Sequence, residues 1–168
     1  MSVGNAWILA ISDNLYVAIG ELEMVHIHSE IPDLIPIAKK NDYCQHQILW
    51  QEQYLSLLDI GLLLYGEPLS DKNTNKSENM FLCVVSYMSK RENIQEYGAI
   101  LSSQLPVRIK VDDKQACELP DSPETWLMLA ISCFSHDAYG TVPILGLPRI
   151  FSTQVDDVMA EQEPDPFD

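Results

Sequence analysis

A mainly β fold, built as two small barrels of five short strands each with a few short helices, is what the sequence predicts, and three observations carry the expectation. Short apolar runs of strand-forming residues recur along the chain, bounded by turn residues. Two of these runs meet across the polar turn Gln51-Glu52-Gln53, as a hairpin requires. The two halves also echo each other: Tyr16-Val17-Ala18-Ile19 returns as Tyr97-Gly98-Ala99-Ile100, and Tyr54-Leu55-Ser56-Leu57-Leu58 as Thr141-Val142-Pro143-Ile144-Leu145. Five short strands closed into a small barrel hide the edges that would otherwise pair with neighbours.

The elements follow in order. Trp7–Ile11 and Leu15–Ile19 form an opening hairpin around Ser12-Asp13-Asn14, residues that tolerate a tight turn. Between Gly20 and His28, Leu22 and Val25 fit a helical turn whereas Met24, His26 and His28 fit a strand, so a bend followed by a short strand is expected. Residues 29–46, with Pro32 and Pro36 and no steady period, make a surface loop. Ile48-Leu49-Trp50 and Tyr54–Leu58 form the central hairpin. It leads into Asp59, an N-cap, and a short apolar helix over 60–65 stopped by Gly66. The polar stretch 67–79 divides a first lobe, about 5–66, from a second, 80–154. There, strands are expected over 80–87, 97–101 and 107–111. Loops follow at 88–95 and 112–125, then a hairpin of 126–134 with 141–145, and a short closing element over 146–151.

Bulk properties narrow the function. With 168 residues, 46% of them hydrophobic, the chain can form one sizeable domain or two lobes sharing a core. No apolar run approaches the roughly 20 residues of a membrane span, and Met-Ser-Val-Gly-Asn lacks the layout of a secretory signal, so a cytoplasmic protein with no membrane insertion is expected. A net charge of −15 argues against nucleic acid and anionic membranes as partners. Six acids and no base fall in 155–168, leaving −9 for residues 1–154 and predicting a disordered acidic tail. Cys44, Cys83, Cys117 and Cys133 form no Cys-x-x-Cys pair and read as small buried hydrophobes.

Little points to chemistry. His26 and His28 would share a strand face and grip a metal if His46 or His136 joined them, which supports an alternative reading as a metal- or ligand-binding barrel or small enzyme. Asp59 is explained as a helix cap. No nucleophile elbow, phosphate loop or cofactor fingerprint occurs, so neither catalytic residues nor cofactors are expected.

The order strand, polar turn, strand, Asp, short apolar helix resembles the centre of the CheW family of chemotaxis coupling proteins. There a hairpin with an Arg-Gly turn leads into an apolar-Pro-apolar-apolar-Asp-Leu strand. Leu55-Ser56-Leu57-Leu58-Asp59-Ile60 matches that strand with Ser56 in place of proline, and Gln51-Glu52 stands at the Arg-Gly turn. The stretches 31–37 and 43–46 resemble the family's proline-containing approach, with His46 where a glycine is customary. The resemblance spans nearly the whole chain. It implies two five-stranded barrels around a shared hydrophobic seam and a non-enzymatic adaptor joining the cytoplasmic tip of a methyl-accepting chemoreceptor to the regulatory domain of a CheA-type histidine kinase. Carried over position by position, it puts partner contacts at Leu22, Val25 and Ile27 and at Trp50, Gln51 and Glu52. Gln51 lacks the guanidinium fork and Glu52 adds a negative charge, which implies an altered receptor side. A tryptophan just before the turn is also associated with coupling proteins of type IV pilus chemosensory clusters.

Overall fold

Strand pairing in the computed structural model sorts the apolar runs into two curled, mostly antiparallel sheets, each with one parallel pair; residues 3–12, 14–37, 44, 46–65, 80–89, 93–120 and 124–151 are described. The strands are β1 (Val3–Ser12), β2 (Leu15–Gly20), β3 (Met24–His28), β4 (Ile35–Pro36), β5 (His46–Trp50), β6 (Gln53–Leu58), β7 (Phe81–Met88), β8 (Gln95–Ser102), β9 (Val107–Asp112), β10 (Ala130–His136) and β11 (Gly140–Leu145). Helices α1 (Ile60–Tyr65) and α2 (Trp126–Leu129) and a helical segment at 147–151 complete the frame. The first sheet runs β10-β11-β2-β1-β9 and the second β3-β7-β8-β6-β5-β4. The second thus has six strands where five are predicted. The extra one is the two-residue β4, from the stretch read as loop, which pairs Ile35 with Gln47 and Pro36 with His46.

The internal echo holds down to register. Leu57 lies beside Ala99 in the parallel pair β6–β8, and the equivalent Ile144 lies beside Ala18 in the parallel pair β11–β2. Each sheet therefore brings a hairpin of one repeat alongside a hairpin of the other through a parallel contact.

Sheet membership does not follow the order of the chain. The sequence divides the chain at 67–79, but the second sheet takes strands from both sides of that stretch and the first takes β1 and β2 with β9 to β11. The exchange begins at the third strand of each repeat: β3 edges the second sheet against β7 and is followed there by β4 to β6, and β9 edges the first sheet against β1 and is followed there by β10 and β11. The segment 67–79 and the acidic tail 155–168 lie outside the described residues.

Both crossings between sheets are pinned. Leaving β2, the chain makes a 3-10 turn at Glu21–Glu23, where Glu23 accepts a bond from the Gly20 N–H and Glu21 receives Arg108 at 3.0 Å, Asn5 at 3.1 Å and, on its carbonyl, the Trp7 indole at 3.3 Å. Leaving β8, Ser102 and Ser103 meet Ala10, where a bulge in β1 breaks the ladder. Ser102 Oγ accepts from the Ala10 N–H at 3.1 Å, and the Ser103 N–H donates to the Ala10 carbonyl at 2.7 Å.

The core has three parts. Ala6, Ile8, Ala18, Phe134 and Val142 fill the first sheet's concavity, and Ile48, Leu55, Leu57, Leu82, Val84, Ala99 and Leu101 fill the second's. Between the sheets lies a seam of Leu9, Ile11, Val17 and Ile19 against Leu58, Cys83, Val85 and Ile100, closed by Trp126, Leu129, Leu147, Ile150 and Phe151. Each fully buried aliphatic or aromatic side chain there contributes roughly 1.5–3 kcal/mol. Two lobes around a shared apolar seam are thus present as predicted, and helices supply much of its lining.

Trp126–Leu129 departs from the expected strand and is one helical turn, with the Leu129 N–H bonded to the Thr125 carbonyl at 3.1 Å. A short apolar run carries no period that separates a buried strand from a helical turn. The arrangement buries Trp126 and Leu129, three residues apart, and leaves Leu127 and Met128 exposed.

Candidate functional site

The central hairpin is shaped by its two-residue turn. Gln51 and Glu52 have φ of +48° and +67°, the left-handed pair that matches the twist of flanking strands. Neither is glycine, and a side chain in this region costs about 1–2 kcal/mol. Gln51 and Glu52 project into solvent, while Trp50, paired with Gln53, is half-buried with its ring 5.7 Å from that of Tyr97. Leu49 and Tyr54 pair on the hairpin's outer face, both more than half exposed. Asp59 caps α1 as expected, Oδ1 accepting from the Leu62 N–H at 3.2 Å.

The other group lies at the opposite edge of the second sheet. Leu22, at the centre of the 3-10 turn, is 90% exposed, the most open apolar side chain among the described residues. Val25 is the extra residue of a bulge between Met24 and His26, which resolves the competing periodicities of this segment. The bulge lets Met24 and Ile27 stand opposite Val85 and Cys83, both in the seam, and pushes Val25 outward. Because β7, β8 and β6 lie between β3 and β5, the two sets of candidate contact residues occupy separate surfaces.

The histidines do come together. His26 and His28 share a face with ring centroids 4.2 Å apart, and burial, then the charge of His26, holds the His28 pKa below its ordinary value. Its Nε2 is buried and has no hydrogen-bond partner among the described residues. His46 sits on β5 and His136 on β10, elsewhere in the sheets, and among the described residues no three His, Cys, Asp or Glu side chains gather as a metal site.

Sequence reasoning missed two features. Leu127, Met128 and Ile131 form an exposed apolar patch where α2 enters β10, and a continuous apolar run gave no sign of which members face water. Cys117, read as buried, is exposed and lies 3.4 Å from the buried Cys133, sulfur to sulfur. Cys44 and Cys83 are buried as expected.

Two curled sheets, each built from strands of both repeats around a common seam, constitute a CheW-like fold. The solved structure of the scaffolding protein TtCheW from Thermoanaerobacter tengcongensis is similar to this chain with a TM-score of 0.66, over 90% of this chain and 89% of that one, at 9% identity. At that identity the likeness is one of fold. No protein-family model and no curated protein matches the chain. Among the described residues no helix is long and apolar enough to cross a membrane.

Proposed function

We propose that this protein is a non-enzymatic adaptor of a chemosensory system, coupling the cytoplasmic tip of a methyl-accepting chemoreceptor to the regulatory domain of a CheA-type histidine kinase. The observation that carries the reading is the CheW-like fold, shared almost end to end with a scaffolding protein. The arrangement of the surfaces supports it. Leu22, Val25 and Ile27 at one edge, and Trp50, Gln51 and Glu52 at the hairpin, are far enough apart in strand order to hold two partners at once. Exposed apolar side chains on short rigid elements suit a helical hairpin or a second small barrel. The protein works in the cytoplasm and needs no cofactor. Trp50 ahead of the turn supports membership of a type IV pilus cluster, which neighbouring genes for pilus motors and a kinase would bear out.

Glu52 stands where the family has glycine, so the receptor contact of this chain is tuned to a surface that accepts an acid. Titration calorimetry of the purified chain against a receptor-tip hairpin and, separately, a kinase regulatory domain from the same cell should show binding to at least one. Glu52→Lys should change receptor affinity about tenfold or more while leaving the thermal midpoint within about 1 °C. Absence of binding to both partners would end the reading.

A further inference from the structure

From the geometry around β10 we infer that Cys117 and Cys133 are the two halves of a reversible, intramolecular disulfide that forms in the folded protein under a two-electron oxidant. The inference stands apart from the adaptor reading and does not need it.

β10 is the outer strand of the first sheet, and its free edge is covered by the chain that leaves β9. After β9 the 3-10 turn Asp113–Gln115 is capped at both ends of its first turn, with Asp112 accepting from the Lys114 N–H and Gln115 accepting from the Asp112 N–H, each at 2.8 Å. The strap then lies antiparallel to β10. Ala116 bridges Phe134, the Cys117 N–H donates to the Cys133 carbonyl at 3.0 Å, and Gln115 Nε2 reaches the Ser135 carbonyl at 3.2 Å. The backbone bridge and bond, with the Gln115 side-chain bond beside them, therefore set Cys117 directly across from Cys133 before any covalent bond exists.

The thiols are already in contact. Cys117 Sγ donates to Cys133 Sγ across 3.4 Å. A disulfide needs about 2.05 Å, so the sulfurs must close by about 1.4 Å, within the reach of side-chain rotation between facing residues. The two differ in access. Cys117 is exposed and meets oxidant first, whereas Cys133 is 3% exposed. Burial, and then the bond from Cys117, pushes the Cys133 thiol up to about 12, so Cys133 is the less reactive of the two toward the oxidant. With peroxide, the Cys117 thiolate attacks one oxygen and breaks the O–O bond, giving a sulfenic acid and hydroxide. Cys133 sulfur then attacks the sulfenic sulfur, its proton and the departing hydroxyl leaving as water. The sum is two thiols and one hydrogen peroxide to one disulfide and two waters. A thiol reductant reverses it by exchange.

The bond would staple the end of β9 to the outer strand, converting the covered edge into a closed one. It would also close the loop carrying α2 and its exposed Leu127, Met128 and Ile131.

The folded protein, fully reduced, is treated with a small excess of hydrogen peroxide and analysed by intact mass and peptide mapping. The expected result is a loss of about 2 Da, a Cys117–Cys133 linked peptide, two of the four thiols remaining, recovery on adding dithiothreitol and a thermal midpoint raised by roughly 5–10 °C in the oxidised form. Cys117→Ser should abolish the 2 Da loss, and Cys44→Ser should keep it. A stable sulfinic acid on Cys117 with Cys133 still free, a disulfide through Cys44 or Cys83, an intermolecular dimer through Cys117, or no change of mass would each overturn the inference.

Discussion

Gly98→Ala should weaken this protein measurably, although the substitution usually favours a strand. Gly98 lies in β8, and a Cβ there would sit 2.7 Å from Cζ, 2.9 Å from Cε1 and 3.0 Å from Cε2 of Phe151. Ordinary carbon contacts fall at about 3.5–4.0 Å, so the ring must retreat by about 1 Å. It has little room. Phe151 is 3% exposed and stacks on Tyr87 with centroids 5.2 Å apart and planes 11° from parallel. Overpacking of this kind costs about 1–3 kcal/mol, against about 0.5–1 kcal/mol recovered by removing a glycine from a strand. The net loss is roughly 1–2 kcal/mol, a fall in melting temperature of roughly 2–8 °C for a chain of this size. Urea unfolding followed by tryptophan fluorescence reads it directly. Gly4→Ala, with nothing within 4 Å of its added methyl, is the control and should be neutral or mildly stabilising. Phe151→Leu should relieve the crowding, so the double variant loses less than the sum of the two single losses. Additive losses, or an unchanged midpoint for Gly98→Ala, would refute the claim that the closing helical segment sits hard against β8.

Two further outcomes follow from the polar contacts. Ser102→Ala deprives the Ala10 N–H of its acceptor at a fully buried position and should cost about 1–3 kcal/mol in urea unfolding, because the orphaned donor keeps its full desolvation penalty. For His28 the folded-state pKa is depressed below 6.5, so the native chain binds fewer protons than the unfolded one; its contribution to stability is full above about pH 6.5 and is lost as pH falls from there through the folded value. Glu23 works in the opposite sense, since burial raises its pKa above 4.5, and the difference between wild type and His28→Phe isolates the histidine. Urea midpoints measured between pH 5 and 8 should fall more steeply on the acid side for wild type than for His28→Phe; parallel curves would show that folding does not lower the histidine's pKa.

Much of the fold could be read from the residues because hydrophobic pattern and turn chemistry are local. Asn14 between strands and Asp59 ahead of an apolar stretch each do what their chemistry implies, and polarity alone marks Gln51-Glu52 as a turn, although neither favours the positive φ it adopts. The echo between Ala18 and Ala99 was visible because both must be small and buried where parallel strands meet. The exchange of β3 and β9 was not visible. Alternation says which face of a strand is apolar and nothing about which strand lies beside it. The same limit explains Trp126–Leu129, where an unbroken apolar run hid a helical turn, and Val25, where two periods competed because a bulge satisfies both. Of the candidate contact residues, only the turn was legible; the exposure of Leu22 carried no signal of its own, and the outward pair Leu49 and Tyr54 was concealed inside a run that looked uniformly buried.

The exchanged third strands also dictate an order of events during synthesis. When β3 leaves the ribosome its neighbour β7 has not been made, and β1 must wait for β9 almost a hundred residues later. The amino-terminal part consequently stays open until β9 and β11 have been made, a topology of distant pairings that favours slow closure. Two nascent copies held close together could each lend the missing strand to the other, so an interlocked dimer is the misassembly this architecture invites.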